Sequence, residues 1–301
     1  MIASPELSPI CFGCEPLGGT DWGDVNILDI ERAIHRALEL GVNFFDTAAI
    51  YGLGQSEKRL SHILGEYRHE VVIATKGGLS WNHSNSSERA IVSRDISPIA
   101  IQKDIENSLR RLRLDCLPIF FIHWPGSIIQ IQTTFEVLMR MHIDGKIASI
   151  GCSNFSKKQV EAACSVADVR YIQIPLNILS GQIDEDIVSI CKKYNIKIIV
   201  YNVLASGLLT GKYDNQSKFP SNDRRSRLPL FQGKQYLDAL SRIAELRMHS
   251  EMSKRTLAQN AIHWVLKQPN VVSAILGIKN SKQIEENCAA VTNFDKDIVN
   301  N

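Results

Sequence analysis

Short apolar runs alternate along the chain with longer segments in which apolar residues recur every three or four positions. Ile30, Ala33, Ile34, Ala37 and Leu38, for example, have the spacing of a helix with one buried face. The short runs are apolar throughout and rich in β-branched and aromatic residues, which is typical of strands covered on both faces. The alternation predicts a succession of strand–helix units.

The pattern predicts strands at 10–13, 42–46, 71–75, 118–122, 147–151, 171–174, 196–201 and 272–276. It predicts helices at 30–38, 55–64, 133–143, 184–194, 234–247, 254–267 and 281–289, one that begins at Ser97–Pro98, and one that begins at a capping box of Ser156 and Gln159. The polar stretches 77–97 and 212–233 are predicted to be loops.

Strict alternation of strands and helices implies a parallel sheet, and eight such units close a barrel. The length of 301 residues suits one barrel, and no linker rich in proline, glycine and serine divides the chain. We therefore expect a single α/β domain over residues 1–301, folded as a (β/α)8 TIM barrel. A doubly wound open sheet is the alternative fold.

Polar side chains stand where the predicted strands end. Asp46 ends the second strand, Lys76 the third, and His123 follows the fourth, while Tyr51 lies five residues beyond Asp46. In barrels of this kind the chemistry occupies the C-terminal ends of the strands. We therefore expect these four side chains to face one small space at the barrel mouth.

These residue types together suit acid–base chemistry. A tyrosine hydroxyl has an ordinary pKa near 10, and a neighbouring ammonium lowers that pKa. Lys76 is expected to supply the ammonium, Asp46 to orient it, and His123 to hydrogen-bond a substrate oxygen. Each residue alone has a structural explanation, as an ion pair, a core histidine or a packing ring. Their joint position favours an active site that reduces a carbonyl or oxidises an alcohol.

The order and spacing of these residues resemble the aldo-keto reductase family over nearly the whole chain. The most specific match runs from Gly41 to Glu57 and includes both Asp46 and Tyr51. Further matches lie at 74–78, 108–112, 123–125, 151–155, 204–213 and 277–287. The resemblance implies an NADP(H)-dependent oxidoreductase that interconverts an aldehyde, ketone or sugar with its alcohol by hydride transfer. Tyr51 would be the general acid/base, with Asp46, Lys76 and His123 as partners.

The resemblance also implies a set of cofactor contacts. Ser153, Asn154 and Gln173 would hold the nicotinamide carboxamide, Tyr201 would stack on the ring, and Ser206, Gly207 and Leu209 would approach the pyrophosphate. The remaining contacts would come from the C-terminal segment: Gly277, Lys279, Gln283, Glu286 and Asn287. A cation at Lys279 favours NADP(H) over NAD(H), because the additional phosphate requires a positive partner.

The substrate is a small carbonyl or alcohol, and its pocket wall should come from loops that follow the strands. Trp22, Trp81 and Trp124 are candidates for that wall. The segments 12–19 and 51–54 are similar to the branch of the family that contains aldose and deoxysugar dehydrogenases. This similarity favours a sugar or a sugar-like hydroxy-carbonyl compound.

Charge and composition narrow the partners. The formal net charge of +2 provides no excess for nucleic acid or a membrane surface, and the basic run 224–227 is expected to be a solvated loop. No run approaches the about 18 apolar residues that span a bilayer, and no apolar leader is visible, so we expect a cytoplasmic protein. The seven cysteines are expected to be reduced, and Cys11 and Cys14 lack the further ligands of a metal site.

Two other functions use the same fold. Some members of the family act as cofactor-binding regulatory subunits with little turnover, and fold alone does not exclude this. A metal-dependent barrel hydrolase could use His123 and Asp46 as ligands, but no H-x-H pair marks the first strand.

Overall fold

The computed structural model describes residues 6–82, 90–252 and 254–292, and eight of its strands close into a parallel barrel. In chain order the strands are β1 (Ile10–Gly13), β2 (Phe44–Asp46), β3 (Val72–Gly77), β4 (Leu79–Asn82), β5 (Ile91–Arg94), β6 (Ile119–Ile122), β7 (Ile150–Ser153), β8 (Val169–Pro175), β9 (Lys197–Tyr201) and β10 (Val271–Gly277). The barrel order is β1-β2-β3-β6-β7-β8-β9-β10, and β10 pairs with β1. The predicted barrel is confirmed, and the open-sheet alternative is wrong.

At least one helix follows each barrel strand, as a parallel sheet requires. The helices are α1 (Ile27–Glu39), α2 (Gln55–Leu64), α3 (Pro98–Leu112), α4 (Ile128–Ile143), α5 (Lys157–Cys164), α6 (Glu185–Tyr194), α7 (Gly233–Met252), α8 (Leu257–Leu266) and α9 (Ser281–Thr292). Within the described ranges, no helix has both the length and the apolar character needed to cross a membrane.

Capping residues explain where several helices begin. Ser97 caps α3, and Ser156 with Gln159 forms the predicted capping box of α5. The helix expected at 133–143 begins five residues earlier, because a second capping box of Ser127 and Gln130 satisfies the first backbone N–H groups of α4.

The stretch 77–97 is more ordered than the predicted loop. Strands β4 and β5 pair antiparallel outside the barrel, and Ser80 and Ser93 share a hydrogen bond of 2.8 Å across them. The side chains of β5 are exposed, so this hairpin has little of the apolar patterning that revealed the barrel strands. Residues 83–89 lie outside the described part of the chain.

The barrel strands are buried on both faces. One set of side chains forms a cluster of its own with Cys11, Phe44, Val72, Ala74, Ile119, Phe121, Tyr171 and Ile199. Their strand neighbours, such as Phe12, Phe45 and Phe120, instead belong to the larger cluster that includes the inward faces of the helices. Because successive side chains point to opposite faces of a strand, the two clusters are the inside and the outside of the barrel wall.

Candidate active site

A cavity of about 720 Å³ opens where the barrel strands end at their C-termini. Its wall contains most of the residues that the sequence singled out: Trp22, Asp46, Tyr51, Lys76, His123, Trp124, Ser153, Asn154, Gln173, Tyr201, Ser206, Gly207, Gly277, Lys279, Gln283, Glu286 and Asn287. The cavity thus brings together the strand-end residues Asp46, Lys76 and His123 and the C-terminal residues that the resemblance implied.

Two expected residues lie off the cavity wall. Trp81 belongs to β4, where it stands opposite Val92 in the hairpin. Leu209 is fully buried and packs in an apolar cluster with Phe231 and Ala261. The 3-10 turn Ala205–Thr210 directs Leu209 into this cluster and leaves Ser206 and Gly207 on the cavity.

A buried ion pair lies at the base of the site. Lys76 Nζ donates to Asp46 Oδ1 at 2.5 Å and to the carbonyl oxygen of Thr47 at 2.9 Å, and both charged side chains are at most 4% exposed. Gln173 Nε2 donates to the other carboxylate oxygen at 2.6 Å. Gln173, expected on a nicotinamide carboxamide, thus supports Asp46 in this structure. Because both oxygens of Asp46 are satisfied, the position and charge of Lys76 are well defined.

Tyr51 and His123 lie above this pair. Lys76 Nζ is 5.2 Å from the centroid of the Tyr51 ring, and the His123 ring meets that of Tyr51 edge-on at 6.0 Å. The backbone of Ser56, at the start of α2, holds the Tyr51 loop through a hydrogen bond of 3.1 Å to the Tyr51 carbonyl. A phenol, an ammonium, a carboxylate and an imidazole therefore meet at one place on the cavity wall, with the two rings half-buried.

The pKa of Tyr51 is shifted in the direction opposite to the one expected from a nearby ammonium. Burial raises the pKa well above its ordinary value, and the carboxylates of Glu15 and Asp46 raise it further, while Arg224 lowers it. The expectation considered only Lys76, whose charge is engaged by Asp46. Tyr51 is consequently a neutral phenol in this structure, which is the form that a proton donor needs.

His123 is a neutral imidazole. Burial and the charge of Lys76 lower its pKa to about 3. A neutral ring keeps one N–H, so His123 can donate a hydrogen bond without adding a second positive charge beside Lys76.

The strand ends on the opposite side of the barrel fit a flat, amide-bearing ring. The hydroxyl of Tyr201 donates to Asn154 Oδ1 at 2.6 Å, and Asn154 Nδ2 donates to the His123 carbonyl at 3.1 Å. This network holds the Tyr201 ring at the cavity wall beside the amide of Asn154 and the hydroxyl of Ser153. An aromatic face with polar groups at its edge matches what a nicotinamide requires.

The other end of the cavity is strongly cationic. Its wall carries Lys212, Arg225 and Lys279. Lys279 Nζ donates to the Trp22 carbonyl at 2.7 Å, and burial together with Arg225 and Lys212 lowers the pKa of Lys279. Phosphate groups would relieve this mutual repulsion, so these side chains could hold the phosphates of a dinucleotide.

Residues of the loop 212–233 were missed as parts of the site. Arg224 Nη1 lies 2.7 Å from Glu15 Oε1, Arg225 pairs with Asp223, and both guanidinium groups stack on Trp22 at 5.5 and 5.7 Å from the ring centroid. The expectation that 224–227 is simply a solvated loop is therefore wrong for these two arginines. Glu15 was detectable, because it follows β1 just as Asp46 ends β2.

Comparison with known proteins agrees with the barrel and the site. The family model of the aldo/keto reductase family matches residues 9–301. The aldo-keto reductase YhdN of Bacillus subtilis is 33% identical over 286 residues, which cover 93% of this chain and 84% of that protein. The structure of a glycerol dehydrogenase from Gluconobacter oxydans superposes with a TM-score of 0.87 at 34% identity, covering 96% of this chain and 89% of the other.

The chain belongs to the aldo/keto reductase family. It is therefore an oxidoreductase of a family that uses nicotinamide cofactors and acts on small carbonyl compounds, and the alternative of a metal-dependent hydrolase is wrong.

Relatives differ in the cofactor that their names specify. The aldo-keto reductase yakc [NADP(+)] of Schizosaccharomyces pombe is 27% identical over 292 residues, 95% of this chain and 84% of its own length. The NADH-specific methylglyoxal reductase of Escherichia coli is 28% identical over 283 residues, 91% of this chain and 86% of its own length. Membership of the family leaves the choice of cofactor open.

We predict that His123 stays neutral throughout the working pH range, because its lowered pKa of about 3 lies far below neutrality. The imidazole 15N signals of His123, assigned by their loss in His123→Gln, should not titrate between about pH 5 and pH 8. A protonation step of His123 within that interval would contradict the assignment.

Proposed function

We propose that the protein is an NADP(H)-dependent oxidoreductase that interconverts an aldehyde, ketone or sugar with its alcohol, and that Tyr51 is its general acid/base. The observation that carries the proposal is the buried Asp46–Lys76 pair beneath a protonated Tyr51, with neutral His123 beside it. These groups line one cavity with the polar strand ends that suit a nicotinamide.

The bound cofactor supplies the hydride for carbonyl reduction and accepts it in alcohol oxidation. Tyr51 donates its hydroxyl proton to the carbonyl oxygen as negative charge develops there, and it becomes a phenolate. The ammonium of Lys76, held in place by Asp46, stabilises that phenolate. In the reverse direction the Tyr51 phenolate accepts the proton of the alcohol.

His123 positions the substrate for this transfer. As a neutral donor edge-on to Tyr51, it hydrogen-bonds the same substrate oxygen and places it within reach of the phenol. Both rings are half-buried on the cavity wall, and partial burial weakens competition from water and strengthens each hydrogen bond.

The preference for NADP(H) rests on charge. Lys279 lies beside Arg225 and Lys212, and burial together with these two positive charges lowers the pKa of Lys279. A phosphate on the adenosine ribose would add two negative charges next to these three cations, and its attraction to them would outweigh their mutual repulsion. NAD(H) lacks that group and gains nothing from Lys279.

We predict that Tyr51→Phe loses roughly 10²- to 10⁴-fold in kcat for carbonyl reduction, the usual range for one acid/base group. NADPH affinity should change little, because the phenol is assigned to the substrate oxygen. Steady-state kinetics and a fluorescence titration of NADPH measure the two effects.

The matched control for this variant is Tyr67→Phe, at an exposed tyrosine outside the cavity. It should keep full activity. Full activity in Tyr51→Phe would contradict the role of Tyr51. NADPH binding without turnover of any carbonyl by the wild type would favour a regulatory subunit.

We predict that Lys279→Met weakens NADPH binding about tenfold and leaves NADH binding nearly unchanged, because one charge-assisted contact to the extra phosphate is lost. Titrations of both cofactors measure the ratio of the dissociation constants. Lys282→Met, an exposed neighbour that does not line the cavity, is the control and should alter neither. Equal weakening of both cofactors would contradict recognition of the phosphate by Lys279.

A further inference from the structure

The cavity contains one carboxylate–guanidinium pair that the proposed chemistry does not use. Glu15 follows β1, and its Oε1 accepts a hydrogen bond of 2.7 Å from Arg224 Nη1 of the loop 212–233. Both side chains line the cavity and are about one third exposed, at 31% and 39%. Among the described residues, Arg224 alone donates a hydrogen bond to the Glu15 carboxylate. Oε2 is therefore available to another donor.

The backbone that carries Glu15 is fixed against the backbone that carries Tyr51. A Cβ atom at Gly18 would lie 2.7 Å from the backbone nitrogen of Gly52, so only glycine permits this approach. Ser56 Oγ, just beyond the Tyr51 loop, donates to the Cys14 carbonyl at 2.8 Å. Glu15 is therefore held in a defined position relative to Tyr51.

The Glu15 carboxylate lies close enough to affect the reacting end of the cavity. Its charge raises the pKa of Tyr51 more than the charge of Asp46 does, and it also raises the pKa of Tyr201. Glu15, Arg224 and Tyr51 line the same cavity, and the contact of Gly18 with Gly52 joins the backbones that carry Glu15 and Tyr51. A substrate whose carbonyl oxygen lies at the Tyr51 hydroxyl would therefore share this cavity with the Glu15–Arg224 pair.

A carboxylate beside a guanidinium is suited to hydroxyl groups. The carboxylate oxygen accepts an O–H, and the guanidinium has further N–H donors for the hydroxyl oxygen. An apolar substrate would desolvate both charges and return no hydrogen bonds, which is costly. The pair should therefore discriminate by the presence of hydroxyl groups and not by chain length.

We propose that Glu15, with Arg224, is a specificity-determining residue that binds a hydroxyl group adjacent to the substrate carbonyl and selects polyhydroxylated substrates over apolar aldehydes. This inference rests on the proposed reductase function and names its substrate class. Glu15 Oε2 accepts a hydrogen bond from the substrate hydroxyl, while Arg224 donates to Oε1 and keeps the carboxylate oriented.

The test compares two aldehydes of equal chain length, glyceraldehyde and propanal, with NADPH as reductant. In Glu15→Ala the ratio of kcat/KM for glyceraldehyde to that for propanal should fall about ten- to hundredfold, the value of a hydrogen bond to a charged group. Glu15→Gln should fall between Ala and wild type, since its amide oxygen still accepts. The ratio cancels any effect of the lost charge on Tyr51, because both substrates use the same phenol.

Arg227→Gln is the matched control. Arg227 pairs with Asp21 at 3.1 Å and joins the same two loops, but it does not line the cavity. The substrate ratio should be unchanged in this variant. An equal fall of the ratio in Arg227→Gln and Glu15→Ala would show that the ion pairs between the two loops set the ratio, and would overturn the proposal. An unchanged ratio in Glu15→Ala would also overturn it.

Binding without turnover separates this inference from the function on which it rests. Glycerol and propan-1-ol, the alcohols of the two aldehydes, are titrated by saturation-transfer NMR into the protein with NADP+. Glycerol should bind more tightly than propan-1-ol in the wild type but not in Glu15→Ala. That result without turnover of any aldehyde, ketone or sugar would overturn the reductase function alone. Turnover of both aldehydes, with no dependence of either readout on Glu15, would overturn the specificity role alone.

Discussion

The site depends on keeping one charged lysine buried at the end of β3. An ammonium in that position is costly unless its charge and its N–H groups are satisfied. Asp46 balances the charge of Lys76, and the Thr47 carbonyl accepts a second hydrogen bond from the ammonium. Gln173, on the opposite side of the barrel, donates to the remaining carboxylate oxygen of Asp46. Closure of the barrel is what brings these groups together, so the fold and the reactivity of the site are coupled through this pair.

Much of this arrangement could be predicted, because parallel strands place their C-terminal ends at one mouth. That rule brought Asp46, Lys76 and His123 together, and it applies equally to Glu15 after β1. The direction of the Tyr51 pKa could not be predicted from a neighbouring lysine alone, since burial and a carboxylate from another loop decide it.

Contacts made by long polar segments escaped prediction for a different reason. Arg224 pairs with Glu15, which lies 209 positions earlier in the chain, and no local sequence pattern in a loop predicts a contact over that separation. The hairpin that removes Trp81 from the cavity has exposed side chains on β5, so its strands carry little periodic signal. Patterns of apolar residues predict what is buried, whereas the loops over the barrel mouth are shaped by polar contacts between distant segments.

The central claim is that the Lys76 ammonium stabilises the phenolate form of Tyr51 during proton transfer. The most direct measurement is the pH dependence of alcohol oxidation in the wild type and in Lys76→Met, which retains the length of the side chain without its charge. The account predicts that the apparent pKa of the group that must lose its proton moves to a higher value in the variant, because the phenolate loses its positive neighbour. An unchanged apparent pKa would contradict it.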